Sequence, residues 1–260
     1  MNVLKRVSVT PIKLFRDNYC YLVKDLESSK AALIDPALES AMHAVTVPVD
    51  MILITHHHPD HCGQVKEVAR NAHQFSGVPV PIIGGDSRIP GVSRILAHNE
   101  SFALGTLSVT ALHTPCHTSG HICFVVRAPD SDQPIVFTGD TLFAAGCGRF
   151  FEGSAKEMQN SLSILATLPP ATLVYCGHEY TLSNLKFAAS VDQKNPRIAE
   201  KLKWAESLDH LGGCTMPTTI KDELATNPFM RTNDPALQTI MGISDPVQLM
   251  HHLRELKNDF

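Results

Sequence analysis

The sequence predicts an α+β fold in which a strand-rich body is followed by a small, mainly helical end. Three observations carry this. Short apolar, β-rich runs bounded by Gly, Pro or polar residues recur between residues 7 and 175. Beyond about residue 181 they give way to apolar positions at helical spacing. Several strand-like runs stop at histidine or aspartate, most densely in Ile52-Leu53-Ile54-Thr55-His56-His57-His58-Pro59-Asp60-His61.

Taken in order, strands are predicted at 7–10, 19–23 and 31–34, the first two separated by the turn signal Arg16-Asp17-Asn18. They read as an antiparallel sheet edge. A short helix at 37–44 precedes the buried-looking strand 51–54, which delivers the histidine run, and a one-faced helix covers 64–74 through Val65, Val68, Ala69 and Ala72. Strands follow at 80–83, 107–112, 122–126 and 135–137. Ser154 and Glu157 form a capping-box pair opening a helix over 154–168, which Pro169-Pro170 stops. A last strand, 172–175, ends at Cys176-Gly177-His178. In the helical end, Asn195-Pro196 is a cap and first-turn pair for Ile198, Leu202, Ala205 and Leu208, and a basic helix spans 246–257. With 260 residues the chain exceeds a typical domain of roughly 100–200. We place a catalytic domain at 1–177 and a substrate-binding helical domain at 178–260.

Composition excludes several classes. A hydrophobic content of 43% with 18% charged residues suits a packed globular chain. The net charge of -4, with both signs interspersed, gives no nucleic-acid footprint, so an anionic ligand needs a local basic cluster. Seven scattered cysteines without a C-x-x-C pair argue against a disulfide framework and a thiolate zinc site. No signal-like or membrane-spanning apolar run is seen, and a cytoplasmic, membrane-free monomer is expected.

The chemistry is read from where histidines and aspartates fall. Alternate positions of an extended or turning backbone face the same way, so His56 and His58 can converge on one ion while Asp60 and His61 point to a second. Further candidates end later strands: His117 in Thr114-Pro115-Cys116-His117, Asp140 in Thr138-Gly139-Asp140, and His178. Alone, such an Asp is more often a turn residue and such a His a satisfied polar group; together with the first motif they read as ligands. His56, His58 and His117 are assigned to one divalent ion, Asp60, His61 and His178 to a second, and Asp140 bridges. Imidazole and carboxylate without thiolate suit zinc, iron or manganese. Two ions about 3.5–4 Å apart can bring a shared water toward a pKa of about 7, enough for hydrolysis without a protein nucleophile. His57, His113 and His121 are surplus to this set, and Cys62 and Cys116 read as packing residues.

The pattern His56-x-His58-x-Asp60-His61 with His117, Asp140 and His178 resembles the metallo-β-lactamase superfamily. Its fold is a four-layer αββα sandwich, here with a small C-terminal helical domain. Asp140-Thr141-Leu142-Phe143, the stretch from Cys147 to Gly153, His178-Glu179-Tyr180-Thr181, Asn227-Pro228-Phe229-Met230-Arg231 and Arg254-x-x-Lys257 resemble glyoxalase II, the hydroxyacylglutathione hydrolases, over nearly the full length. The resemblance implies hydrolysis of S-D-lactoylglutathione and related thioesters to glutathione and a 2-hydroxy acid by a metal-bridging hydroxide, in methylglyoxal detoxification. It also implies that Asp60 orients that hydroxide and that Arg149, Phe151, Tyr180, Arg254 and Lys257 stand at substrate-contact positions. Phe151 lacks the hydroxyl that some members offer, whereas Arg149 keeps the charge of an alternative lysine. The rivals are a β-lactamase, which does not require the basic tail, a single-iron persulfide dioxygenase, which leaves Asp60, His61 and His178 without purpose, and a non-catalytic metal-binding module.

Overall fold

In the computed structural model, which describes residues 2–3, 6–209 and 212–260, the strand-rich body is two facing sheets. The first contains β1 (Asn2–Val3), β2 (Val7–Leu14), β3 (Asn18–Asp25), β4 (Ala31–Ile34), β5 (Met51–Ile54), β6 (Ile82–Gly84) and β7 (Arg94–Ile95), side by side in chain order. β1 to β4 pair antiparallel and β4 to β7 parallel. The switch follows from the connections, since a parallel pair needs a crossover. A 3-10 helix, Glu39–Ala44, lies between β4 and β5, and α1 (Pro59–Cys62) and α2 (Val65–Ser76) lie between β5 and β6.

The second sheet begins with β8 (Ser101–Leu104), β9 (Leu107–His113), β10 (Ile122–Arg127) and β11 (Ile135–Gly139), each antiparallel to the next. A small hairpin, β12 (Leu142–Phe143) and β13 (Gly146–Cys147), and helix α3 (Ala155–Ala166) precede β14 (Leu173–Cys176), which joins β11 in parallel. The tail holds α4 (Thr181–Val191), α5 (Pro196–Asp209), β15 (Thr218–Thr219), α6 (Ile220–Thr226), α7 (Pro235–Met241) and α8 (Pro246–Asp259).

Strand alternation sorts the core into three slabs. Between the sheets, Tyr21, Ile34 and Leu53 meet Val109, Phe124, Phe137 and Tyr175. Their neighbours Leu33, Ile52 and Ile54 face outward onto Val65, Val68 and Ala72 of α2. On the far side, Val125, Val136 and Val174 face Met158, Leu162 and Leu165 of α3 together with Leu249, Met250 and Leu253 of α8. The result is helix, sheet, sheet, helix, and α8 shares a core with the outer face of the second sheet.

The sequence reading differs from the structure where pairing, not local pattern, sets the element. β2 continues through Pro11 because β1 covers it only as far as Val9, and a residue without an N–H is tolerated beside an open edge. The helix expected at 37–44 is a 3-10 turn, a form used in short pieces. The turning chain after His58 closes one turn of α-helix. β1, β7, β8, β12, β13 and β15, of two to four residues each, are too short to announce themselves, and β15 places a strand inside the tail, in which the sequence shows no strand-like run.

The capping box opening α3 is present in full: Ser154 accepts from the Glu157 N–H, and the Glu157 carboxylate accepts from the Ser154 N–H at 2.8 Å. Replacing Ser154 by Ala is expected to cost about 1 kcal/mol. Urea unfolding at fixed metal concentration measures it, and an unchanged midpoint would show that the cap is idle.

Candidate metal centre and substrate cleft

Strand direction brings the candidate ligands to one edge. β9, β11 and β14 run the same way, because β9 and β11 are each antiparallel to β10 and β14 is parallel to β11. Their carboxyl ends therefore lie together and deliver His117, Asp140 and His178. The other sheet presents the end of β5 to the same edge, where the Ile122 N–H donates to the Thr55 carbonyl at 2.9 Å and the Tyr19 N–H to the Gly177 carbonyl at 2.8 Å. Two glycines permit this crowding. Gly139 has φ +46, and a side chain there would meet Thr55 Oγ1 and His121; one at Gly177 would meet Asp140 and His61.

Three nitrogens form the first group: His56 Nε2 lies 3.1 Å from His58 Nδ1, which lies 3.0 Å from His117 Nε2. In the second group His61 Nε2 and His178 Nε2 are 3.3 Å apart, and Asp60 Oδ2 is 3.4 Å from the latter. Asp140 faces both, 3.4 Å from His117 Nε2 through Oδ2 and 3.3 Å from His61 Nε2 through Oδ1.

The other ring nitrogens explain the orientation. His61 Nδ1 donates to Asp35 at 2.9 Å, His178 Nδ1 to Asp17 at 2.9 Å and His117 Nδ1 to the Arg149 carbonyl at 3.0 Å. The Thr55 hydroxyl donates to Asp35 at 2.7 Å, which leaves its oxygen to accept from His56 Nδ1 at 3.1 Å. A neutral imidazole has one N–H. With those hydrogens directed outward, the Nε2 atoms of His56, His61, His117 and His178 are lone pairs aimed into a common space. Zinc–nitrogen bonds of about 2.0–2.1 Å at tetrahedral angles set neighbouring nitrogens roughly 3.3 Å apart, close to the spacings here. Asp140 Oδ1 is buried and has no hydrogen-bond donor among the described residues, a further mark of a cation's place. The residues fit divalent metal.

Charge preferences agree. Burial drives His56 and His121 well below the ordinary imidazole range, and lowers His58 and His117 as well. Burial also opposes charge on His61 and His178, but the carboxylates around them, Asp140 with Asp35 for His61 and Asp140 with Asp60 for His178, together raise both, His178 to about 10. Asp140, although buried, is held well below the carboxylate range by His61 and His178. The second group thus draws positive charge. Burial pushes the thiols of Cys62 and Cys116 up to about 12, so neither is a ready nucleophile.

Several participants escaped the sequence reading. Asp35, Asp17 and Asn18, whose amide donates to Asp60 Oδ2 at 3.0 Å, orient the candidate ligands. His121, surplus in the sequence, is buried with Nε2 accepting the Asp140 N–H at 3.1 Å, and it anchors that loop. The available signal for Asp35 was its place at the end of a buried strand, the same position that marks Asp140. His57 turns away, 3.5 Å from Asp86.

A cleft of about 550 Å³ opens from this centre. Its walls include His58, Asp60, His117, Asp140 and His178 together with Arg149, Phe151, Tyr180, Arg254 and Lys257. The Tyr180 ring stacks on His178 at 4.7 Å and the Phe151 ring stands 5.2 Å from His117. Arg254 is buried, donating to the Cys147 carbonyl at 3.0 Å above the Phe229 ring, and Lys257 donates to Ser183 Oγ at 3.1 Å. Arg254, although it lies on a charged terminal helix, is not part of a solvated face: it is 7% exposed.

A four-layer sandwich with imidazole and carboxylate ligands gathered at one sheet edge defines a metal-dependent hydrolase of the metallo-β-lactamase superfamily, and the profile of that superfamily matches residues 15–178. In overall shape the chain is similar to ETHE1 from Myxococcus xanthus, with a TM-score of 0.63 and 24% identity, covering 94% of this chain and 90% of that one. That likeness speaks to the fold. The tail selects the branch: residues 179–260 match the profile described as hydroxyacylglutathione hydrolase C-terminus. The chain is 39% identical over 256 residues to the cytoplasmic hydroxyacylglutathione hydrolase of Arabidopsis thaliana, covering 96% of this chain and 97% of the relative. It is 41% identical over 263 residues to the hydroxyacylglutathione hydrolase of Alkalilimnicola ehrlichii, covering 96% and 98%. The chain belongs to the hydroxyacylglutathione hydrolase family, glyoxalase II.

Replacing Asp35 by Asn leaves one oxygen, which the Thr55 N–H holds on the Oδ1 side, and turns the amide nitrogen, a donor, toward His61 Nδ1; divalent-metal affinity is expected to weaken about 10- to 100-fold. Chelator competition measures this, and wild-type affinity in Asp35→Asn would contradict the orienting role.

Proposed function

We propose that this chain hydrolyses S-(2-hydroxyacyl)glutathione thioesters, chiefly S-D-lactoylglutathione, to glutathione and D-lactate, the thioester-clearing step of methylglyoxal detoxification. The observation that carries the reading is that one cleft holds the histidine and aspartate cluster and a cationic wall. His56, His58 and His117 would hold one divalent cation and Asp60, His61 and His178 a second, with Asp140 available to both. Zinc, iron and manganese all suit this donor set. When bound, the cations polarise the acyl oxygen and make a water acidic enough to attack near neutral pH.

The remaining roles belong to side chains. Asp60 is partly exposed, held by Asn18 and kept well below the carboxylate range, so it accepts a hydrogen bond from the attacking water and aligns it. The leaving thiolate, with a thiol pKa of about 8.5, departs without a strong general acid. Glutathione carries two carboxylates, and Arg149, Arg254 and Lys257 supply positive charge on the cleft wall, while Tyr180 stands at the centre, stacked on His178. Phe151 offers a ring without a hydroxyl. In this division of labour residues 1–177 supply the catalytic part and 178–260 the substrate-binding part. Seven free cysteines and a relative named cytoplasmic favour the cytoplasm.

The direct test compares turnover of S-D-lactoylglutathione, a β-lactam and glutathione persulfide by the metal-loaded protein. The thioester is expected to be cleaved at least about a hundredfold faster than the lactam, with no oxygen uptake on the persulfide; preference for either rival substrate would overturn the reading. Burial, then the neighbouring Arg254, lowers Lys257 to about 8. Its charge is present below that value and lost above it, so kcat/KM for the anionic thioester is expected to fall as pH rises through about 8. Lys257→Gln should remove that limb and raise KM with little change in kcat, the signature of contact with a remote group. A limb that survives in Lys257→Gln would assign it elsewhere.

A further inference from the structure

The segment from Arg149 to Gly153 has no regular secondary structure, yet it carries Arg149 and Phe151 at the cleft wall. Its position must come from side-chain and backbone contacts. Glu152, between that wall and α3, supplies most of them. Its Oε2 accepts from the Ser119 N–H at 2.7 Å and the Ser119 hydroxyl at 2.9 Å, and its N–H donates to the Cys116 carbonyl at 3.1 Å. Arg88 meets the carboxylate with two parallel hydrogen bonds, Nη1 to Oε1 at 2.7 Å and Nη2 to Oε2 at 2.8 Å. Arg88 is itself fixed by Asp86, accepting at 2.6 Å from Nη2, and by Ser119 Oγ at 3.0 Å. Two-point pairing of this kind sets direction as well as distance.

Three loops are thereby tied at one point: 85–88 after β6, the 116–121 turn that carries His117, and the 149–153 segment. His117 Nδ1 bonds the Arg149 carbonyl, so the same tie reaches from the metal centre to the cleft wall. We propose that the Arg88–Glu152 pair is a latch that positions the 149–153 wall for the glutathione part of the substrate, and that Glu152 and Arg88 are positioning residues for binding. Neither touches the reacting atoms. The inference rests on the thioester reading above.

The experiment uses the metal-loaded full chain and five proteins: wild type, Arg88→Met, Glu152→Gln, the double variant of these two and Glu152→Asp. Each is assayed on S-D-lactoylglutathione and on an S-acyl cysteamine thioester, which lacks the glutathione carboxylates, and glutathione binding is measured by calorimetry. Each single variant is expected to raise KM for lactoylglutathione about 5- to 10-fold with kcat within about twofold, and to weaken glutathione binding to match. The cysteamine thioester should be cleaved at the wild-type kcat/KM. The double variant should be no worse than the weaker single, because one latch cannot be opened twice. Glu152→Asp, which keeps the charge, should recover part of the loss. An unchanged KM, effects that multiply in the double variant, or an equal loss on the cysteamine thioester would each overturn the latch. If wild type itself fails to cleave lactoylglutathione, the substrate reading falls and the latch falls with it.

Discussion

A neutral imidazole has one hydrogen to give, and the centre of this molecule is arranged by where those hydrogens go. His56, His61, His117 and His178 each direct Nδ1–H outward, to Thr55, Asp35, the Arg149 carbonyl and Asp17. Their second nitrogens then crowd together as lone pairs at the buried edge of two sheets. Lone pairs a little over 3 Å apart repel unless something positive lies among them, and Asp140 adds a carboxylate to the same space. Divalent cations satisfy all of these groups at once. Protons would serve only the second group, where Asp140 raises His61 and His178, and not the first, where burial keeps the rings neutral.

The rest of the fold keeps that edge in register. Strands β9, β11 and β14 share a direction, so their ends coincide, and backbone bonds from Ile122 to Thr55 and from Tyr19 to Gly177 lace the sheets together there. Gly139 and Gly177 leave room where any side chain would collide. The tail extends the second outer layer through α8 and, from the same helix, turns Arg254 and Lys257 into the cleft. Reactive end and cationic wall share one cavity, although two of the three cations, Arg254 and Lys257, come from the last helix of the chain. A thioester needs little more, since its leaving group is stable as an anion and the difficulty lies in delivering water and holding the acyl oxygen.

Much of this could be read from the sequence, for reasons particular residues make plain. The histidine run follows four apolar residues, so both strand and ligands are local patterns, and the Ser154/Glu157 box fixes where α3 begins. Asp17, Asp35 and Asn18 could not be found that way. Asp17 and Asn18 sit in a polar turn and Asp35 at a strand end, and the partners of Asn18 and Asp17 lie 42 and 161 residues distant. His121 looked surplus for the same reason: its role is a bond to the Asp140 N–H, which exists only after the sheet has formed. The short strands depend on pairing alone. The tail read as helical because Thr218–Thr219 is a strand only by virtue of β14 beside it.

The central claim is that two groups of ligands, joined by Asp140, each hold a divalent cation. Anomalous diffraction from crystals of the metal-loaded protein tests it most directly. The account requires two peaks per chain, one among His56, His58 and His117 and one among Asp60, His61 and His178, with Asp140 touching both. A single peak, or two peaks of which one lies away from these residues, would contradict it.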